Sequence, residues 1–396
     1  MTRQSVALLR SDYAHKESAP TTTITFYTSS SSSSNSAISR GRAHLQRRVD
    51  AIVQANPWLT GSITSDWLGR LTLDYDSVTP DVILVEASMQ PELSHDMDYD
   101  ALVAMVRPPV GRADTDPLLR MRWIEISKTQ AALVVSLSRL AGDSRTHYHL
   151  CGMLSADASV RALTPIRLAK FDDVVASQGA NGRLRRASST VGFVINAVRK
   201  LVATAPTVTT TLCPLDAEWL AREKAMFTSS QDSLDDDVVA SWYFRQTQCD
   251  TGVLAVDCRD CLDDVDTISM AGNYEGWIPV QPDDYATPAL MRHALTTEAL
   301  RRVQATDLSS VMTGNGAMFT SLVTLYEPAT IPDWTIIAHV PCWSFPAGWT
   351  AKDAAILFQH TPSTFGLLIV MQSVPEVPID PTSPAADGAT PPHKPQ

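Results

Sequence analysis

The hydrophobic pattern of this chain switches repeatedly between strand-like and helical spacing. Thr21 to Thr28 (TTTITFYT) is β-branched and aromatic and predicts a strand. From Ile38 to Asn56 the spacing is helical, with Leu45, Val49, Ile52 and Val53 on one face and arginines on the other, up to Asn56-Pro57. Leu71–Tyr75 and Val82–Glu86 predict short strands, Asp100–Val106 a short helix stopped by Pro108-Pro109, and Leu118–Ser127 and Ala131–Ser138 two adjacent strands. The second half predicts helices over Leu215–Phe227, Leu234–Gln246 and Thr287–Val303. It predicts strands over Gly252–Cys258, Phe319–Leu325, Trp334–Val340 and Thr364–Val374. Residues 1–20 read as a short amphipathic start, the serines Ser29–Ser34 as an exposed loop, and His360 as part of a turn. No repeat of solenoid or propeller length is present.

The stretch Ala131–Ser155 (AALVVSLSRLAGDSRTHYHLCGMLS) combines these features most tightly. A strand-type run enters the polar turn Arg139–Ser144, and a helical pattern with Tyr148, Leu150, Cys151, Met153 and Leu154 follows. Asp143 and Ser144 are good helix N-caps, yet an acidic residue at that point can also hold a polar group at the lip of a cleft. Spacing alone leaves both readings open.

At 396 residues the chain is too long for one small core. Two mixed α/β (α+β) domains are expected at 1–170 and 214–374, joined by a crossover at 171–213 and followed by a Pro-rich, disordered tail at 375–396. Apolar content of 44% with 19% charged residues is that of a soluble globular protein. A net charge of −11 argues against nucleic acid as a partner, while leaving room for a local basic pocket. There is no signal-peptide core and no apolar run of membrane-spanning length, so a cytoplasmic monomer without membrane contact is expected.

The pair Cys258 and Cys261 has C-x-x-C spacing, but no second Cys or His pair lies nearby to complete a zinc site. Free thiols and no metal are the expectation. The cluster Arg183, Arg185 and Arg186 in the crossover fits either a solvated face or contact with cofactor phosphates.

The order of PWLTGSI, DPLLRMRWIEI, ALVVSLSRLAGDSRTHYHLCGMLS, GVLAVDCRDCL, AGNYEGW and a late strand pair resembles the chloramphenicol-acetyltransferase-like superfamily. That group includes the plant-type (BAHD) acyltransferases and the condensation domains of peptide synthetases. The resemblance covers Ser5 to Val374. It implies two similar mixed-sheet domains with an interface tunnel, entered from one side by an acyl thioester and from the other by a small-molecule acceptor. It implies no tightly bound cofactor, with acyl-CoA or a carrier-protein thioester as co-substrate.

The resemblance also assigns roles. The family signature is a His, three residues, then Asp-Gly, and without gaps it lays Asp on Asp143, Gly on Ser144 and the His on Arg139. In the family the His is the general base. A guanidinium, protonated at any accessible pH, cannot be one. The signature Asp normally pairs with an Arg on a strand of the second domain, a place occupied here by Arg259. Asn273 and Tyr274 match a stretch near the domain interface and are candidate substrate-binding residues. His147, four residues after Asp143, is the candidate replacement base, ahead of His149, His339 and His360.

Three functions follow as expectations. The first is acyl transfer from a thioester to an amine or hydroxyl by machinery lacking the usual His, with Arg139, Asp143 and His147 as candidate catalytic residues. The second is different chemistry on this fold, with Arg139 as a cation that holds an anion or polarises a carbonyl in a cyclisation or condensation. The third is non-catalytic small-molecule binding.

Overall fold

The computed structural model describes residues 3–9, 11–16, 18–29, 34–78, 81–107, 117–171, 209–227, 234–259, 267–295, 316–343 and 353–371. The core of the serine run, nearly all of the crossover with its basic cluster, Cys261, the end of the predicted Thr287–Val303 helix and the Pro-rich tail lie outside them.

The first half is built on β1 (Arg3–Ala7), β2 (Thr21–Thr28), helix α1 (Ser34–Ala55), β3 (Ser62–Ser65), β4 (Leu71–Asp76), β5 (Val85–Met89), α2 (Tyr99–Val106), β6 (Leu119–Glu125), β7 (Gln130–Leu137) and α3 (Ser144–Gly152). The second half contributes β8 (Thr209–Pro214), α4 (Ala217–Met226), α5 (Asp235–Thr247), β9 (Thr251–Asp257), β10 (Glu275–Val280), β11 (Gly316–Ser321), β12 (Thr335–Cys342), β13 (Asp353–Thr361) and β14 (Thr364–Met371). A five-stranded sheet runs β12-β2-β7-β6-β5, a six-stranded sheet β10-β9-β11-β13-β14-β8, and β1-β4-β3 form a small third sheet. Both large sheets are mixed, with β5–β6, β9–β11 and β11–β13 parallel and the other pairs antiparallel.

Side chains alternate across a strand, so each sheet offers one face to each neighbouring layer. On β7, Ala131, Leu133, Val135 and Leu137 pack with Leu45, Val49 and Ile52 of α1. Ala132 and Val134 face the other way, into a cluster shared with Ile24 and Phe26 of β2, Ile356 and Phe358 of β13, and Leu368 and Val370 of β14. The alternate residues Ala355, Leu357, Leu367 and Ile369 pack with Val238, Val239, Tyr243 and Phe244 of α5. Both faces of the central strands are buried, which is why β7 and β14 read as continuous apolar runs.

Strand β12 crosses the expected division of the chain. It belongs in sequence to the 214–374 segment, yet it pairs along its length with β2, from Thr335 opposite Thr28 to Cys342 opposite Thr22. The second half therefore completes the sheet of the first. His360, expected in a turn, lies on β13. The segment expected as an amphipathic start contains β1 and a 3-10 helix at Asp12–His15.

Candidate functional site

Strand β7 delivers the chain to the turn Arg139–Asp143, in which Arg139, Leu140, Ala141 and Asp143 each accept from a buried donor. Asp143 is the N-cap of α3, accepting from the backbone N–H of Thr146 at 3.0 Å. Its carboxylate also accepts from both terminal nitrogens of Arg259 at 2.8 and 3.0 Å, from Thr146 Oγ1 at 3.1 Å and from the Tyr274 N–H at 3.1 Å. Burial alone would raise the carboxyl pKa. The Arg259 charge and these N–H donors reverse that and hold it well below the usual carboxylate range.

Arg259 itself is fully buried. It also donates to Asp257 Oδ1 at 3.0 Å and to the Gly272 carbonyl at 3.0 Å, and its guanidinium lies 4.8 Å from the centroid of the Tyr274 ring.

A second buried pair grips the turn from the other side. Arg167 donates to Asp12 Oδ2 at 3.2 Å, to the carbonyls of Leu140 and Ala141 at 3.1 and 3.2 Å, and to that of Ala271 at 2.9 Å. Asn273 donates to the Arg139 carbonyl at 2.6 Å and to Asp12 Oδ1 at 2.8 Å. The glycines at this junction have no substitute. A Cβ on Gly142 would lie 2.6 Å from that of Thr146, and Gly272 sits at φ +141 with Arg167 2.8 Å from where its Cβ would be.

Below the turn a cleft of about 290 Å³ lies between elements from both halves of the chain. Asp143, Ser144 and Arg145 line it from the start of α3, Asp236 and Ala240 from α5, Leu254–Asp257 from β9, Glu275 from β10, and Phe319–Leu322 from β11 and the residue beyond it. The apolar side chains Leu254, Val256, Phe319 and Leu322 suit an acyl chain, while Asp236, Asp257 and Glu275 make its polar groups mostly acidic. Arg145 donates to Asp257 at 2.6 Å across the cleft. The Asp236 carboxyl is raised in pKa by burial, an effect that the neighbouring Asp237 and Asp235 charges reinforce and a hydrogen bond from Ser321 opposes. Among the described residues, no group of three or more His, Cys, Asp or Glu side chains is placed to hold a metal ion.

The candidates from sequence separate into distinct positions. Arg139 points to Glu275 at 3.3 Å and to Thr21 Oγ1 at 3.4 Å. Its charge is therefore matched by a carboxylate that lines the cleft. Asn273 and Tyr274 are buried and are not among the cleft residues; the Asn273 amide donates to Asp12 and the Arg139 carbonyl, and the Tyr274 N–H donates to Asp143.

His147 is fully buried beneath α3, with Nε2 3.0 Å from Thr23 Oγ1 and 3.5 Å from Cys151 Sγ, and it is not among the cleft residues. Burial lowers its pKa to about 3. One helical turn past Asp143, the α3 axis carries it into the layer against β2. His339 is buried between Thr25 at 2.8 Å and Tyr148 at 2.9 Å, and His149 pairs with Glu327 at 2.6 Å.

The sequence reading missed Asp12, Arg145, Arg167, Asp236, Asp257 and Glu275.

No family model matches the sequence, and no curated protein matches it. Solved structures do. TRI101 of F. sporotrichioides, solved with coenzyme A and T-2, is 14% identical, with 93% of this chain and 95% of that one covered at a TM-score of 0.59. Polyketide synthase associated protein 5 of Mycobacterium tuberculosis is 16% identical, with 93% of each chain covered and a TM-score of 0.58. The condensation domain of the Monacolin K polyketide synthase MokA is 12% identical, with 94% and 92% covered and a TM-score of 0.56. This chain therefore has the chloramphenicol-acetyltransferase-like fold along almost its whole length.

Proposed function

We propose that this protein transfers an acyl group from a thioester to an amine or hydroxyl of a small molecule. The observation that carries the reading is the clamped turn. Asp143, Arg259, Arg167 and Asn273 hold Arg139–Asp143 at the head of a cleft with an apolar floor, using two buried ion pairs and more than one backbone carbonyl. A buried ion pair is a costly way to gain stability alone, so so rigid a turn suits a site that must hold reacting groups in place. Asp143 and Arg259 serve here as positioning residues. The cleft between the two halves takes the thioester, and TRI101, solved with coenzyme A, supports acyl-CoA as the co-substrate class. A carrier-protein thioester is the alternative donor.

Proximity supplies much of the rate in this reading. Holding nucleophile and carbonyl at near-attack distance removes roughly 7–11 kcal/mol of barrier in well-oriented systems, so losing one general base lowers the rate without abolishing it. The pairing of Arg139 with Glu275 speaks against the alternative in which Arg139 binds a substrate anion, because that carboxylate would first have to be displaced. Thiol release from a panel of acyl-CoA donors, in the presence of amine and alcohol acceptors, tests the proposal. Acceptor-dependent release supports it. No release from any donor, together with no protection by CoA against thermal unfolding, would leave the non-catalytic binding reading in its place.

A further inference from the structure

We infer that the acceptor carries an ammonium group beside its nucleophile, as a diamine or an amino alcohol does, and that Asp236 holds that group in the cleft. The inference rests on the acyl-transfer reading and adds to it the chemical class of the acceptor.

Four carboxylates line the cleft: Asp143, Asp236, Asp257 and Glu275. Three of them are matched by arginines, Asp143 by Arg259 at 2.8 Å, Asp257 by Arg145 at 2.6 Å and Glu275 by Arg139 at 3.3 Å. Among the described residues no cation forms an ion pair with Asp236. The lining therefore carries one carboxylate whose charge has no matching arginine.

The start of α5 shows why this carboxylate is the one left over. The helix opens with Asp235, Asp236 and Asp237, and acidic residues in a first turn suit the positive end of the helix dipole. Their side chains then part. Asp235 pairs with Lys224 of α4. Asp237 is fully buried, accepts from the Leu234 N–H at 2.9 Å and pairs with Arg292 at 2.7 Å. Asp236 is the one of the three that lines the cleft, and it stays partly exposed, so a ligand can reach it.

A cation answers this arrangement and an anion does not. The phosphates of a CoA donor are repelled by an uncompensated carboxylate, so the acyl chain takes the apolar side chains Leu254, Val256, Phe319 and Leu322, and the Asp236 side falls to the acceptor. Burial and the Asp237 and Asp235 charges raise the Asp236 carboxyl above its ordinary pKa, against a hydrogen bond from Ser321 and the charge of Arg292. The ion is thus held at a cost that a bound ammonium would relieve. An ammonium nitrogen has no lone pair to attack with. The group on Asp236 is therefore not the nucleophile, which is a second amine or a hydroxyl on the same molecule.

The test measures acceptor-dependent thiol release from acyl-CoA with a panel of diamines and amino alcohols, each matched by the diol of the same length. Wild type, Asp236→Asn, Asp236→Glu and Asp235→Asn are compared, with thermal midpoints alongside. Wild type should prefer the charged member of each pair by about 10- to 100-fold in kcat/KM, the worth of a charge-assisted hydrogen bond. In Asp236→Asn that ratio should fall toward one, while Asp236→Glu and Asp235→Asn should keep it. A residue with only a structural role would lower both members of a pair alike and leave the ratio unmoved. Equal use of both members by wild type, release with uncharged acceptors only, or a ratio that survives in Asp236→Asn would overturn the assignment while leaving the acyl-transfer reading intact. The wild-type ratio is a test that no variant's folding can obscure. A wild-type protein that releases no thiol with any acceptor would remove both.

Discussion

Separating Asp143 from Arg259 should cost more than any other single loss at the site, and the double variant should cost less than the two singles combined. Both side chains are essentially withdrawn from water, with side-chain exposures of 1% and 0%. Asp143→Ala leaves Arg259 a buried cation held by the Asp257 carboxylate, Thr146, the Gly272 carbonyl and the face of the Tyr274 ring. Arg259→Met leaves a buried carboxylate with the Thr146 and Tyr274 donors alone. Removing one member of a buried pair typically costs about 3–5 kcal/mol, since the remaining charge stays desolvated. The double variant removes both charges and should cost about as much as one single variant, a coupling of about 3–5 kcal/mol. Urea unfolding of all four proteins at pH 7, followed by tryptophan fluorescence, measures this. Additivity within about 0.5 kcal/mol, or a cost below about 1 kcal/mol for either single, would refute the claim that the pair locks the turn.

Acid should destabilise the protein before its carboxylates titrate. The buried His147 and His339 have pKa values lowered to about 3, by burial in both and by neighbouring histidines in His339. A folded pKa below the unfolded value of about 6.5 gives stability that is complete above that pH and is lost as pH falls toward the folded value. By pH 5 each should cost about 2 kcal/mol, and His147→Gln with His339→Gln should flatten the slope of stability between pH 6.5 and 5. Phe358→Ala, in the layer between the two large sheets, should cost about 3–5 kcal/mol in chemical unfolding. Gly272→Ala should lower the thermal midpoint and reduce thiol release together, because its φ of +141 and the adjacent Arg167 leave no room for a Cβ.

The local elements were legible because local chemistry specifies them. The apolar run of β7, the Asp143 cap and the amphipathic face of α1 each carry their signal within a few residues. Strand β12 does not, since nothing in TIIAHVPC announces pairing with β2 more than three hundred residues earlier; that register is set by tertiary packing. The Asp143–Arg259 contact came from family resemblance, and no spacing rule links positions 116 apart in sequence. Asn273 and Tyr274 were expected at the substrate; they are buried beside the turn, to which each donates a hydrogen bond. His147 illustrates the limit of helical-face reasoning. The spacing from Asp143 was right for a shared face, but that face is turned toward Thr23 and Cys151. Asp12 was hidden by its distance in sequence from the turn that it braces through Arg167 and Asn273.

The central claim is that the cleft below Asp143 carries acyl transfer from a thioester. The most direct measurement follows one reaction mixture by mass spectrometry, with acyl-CoA, a small-molecule amine or alcohol and the wild-type protein. The account predicts acylated acceptor and free CoA in equal amounts, both lost when the acceptor is withheld. Acyl-CoA left intact across donors and acceptors, or hydrolysed with no acylated acceptor, would contradict it.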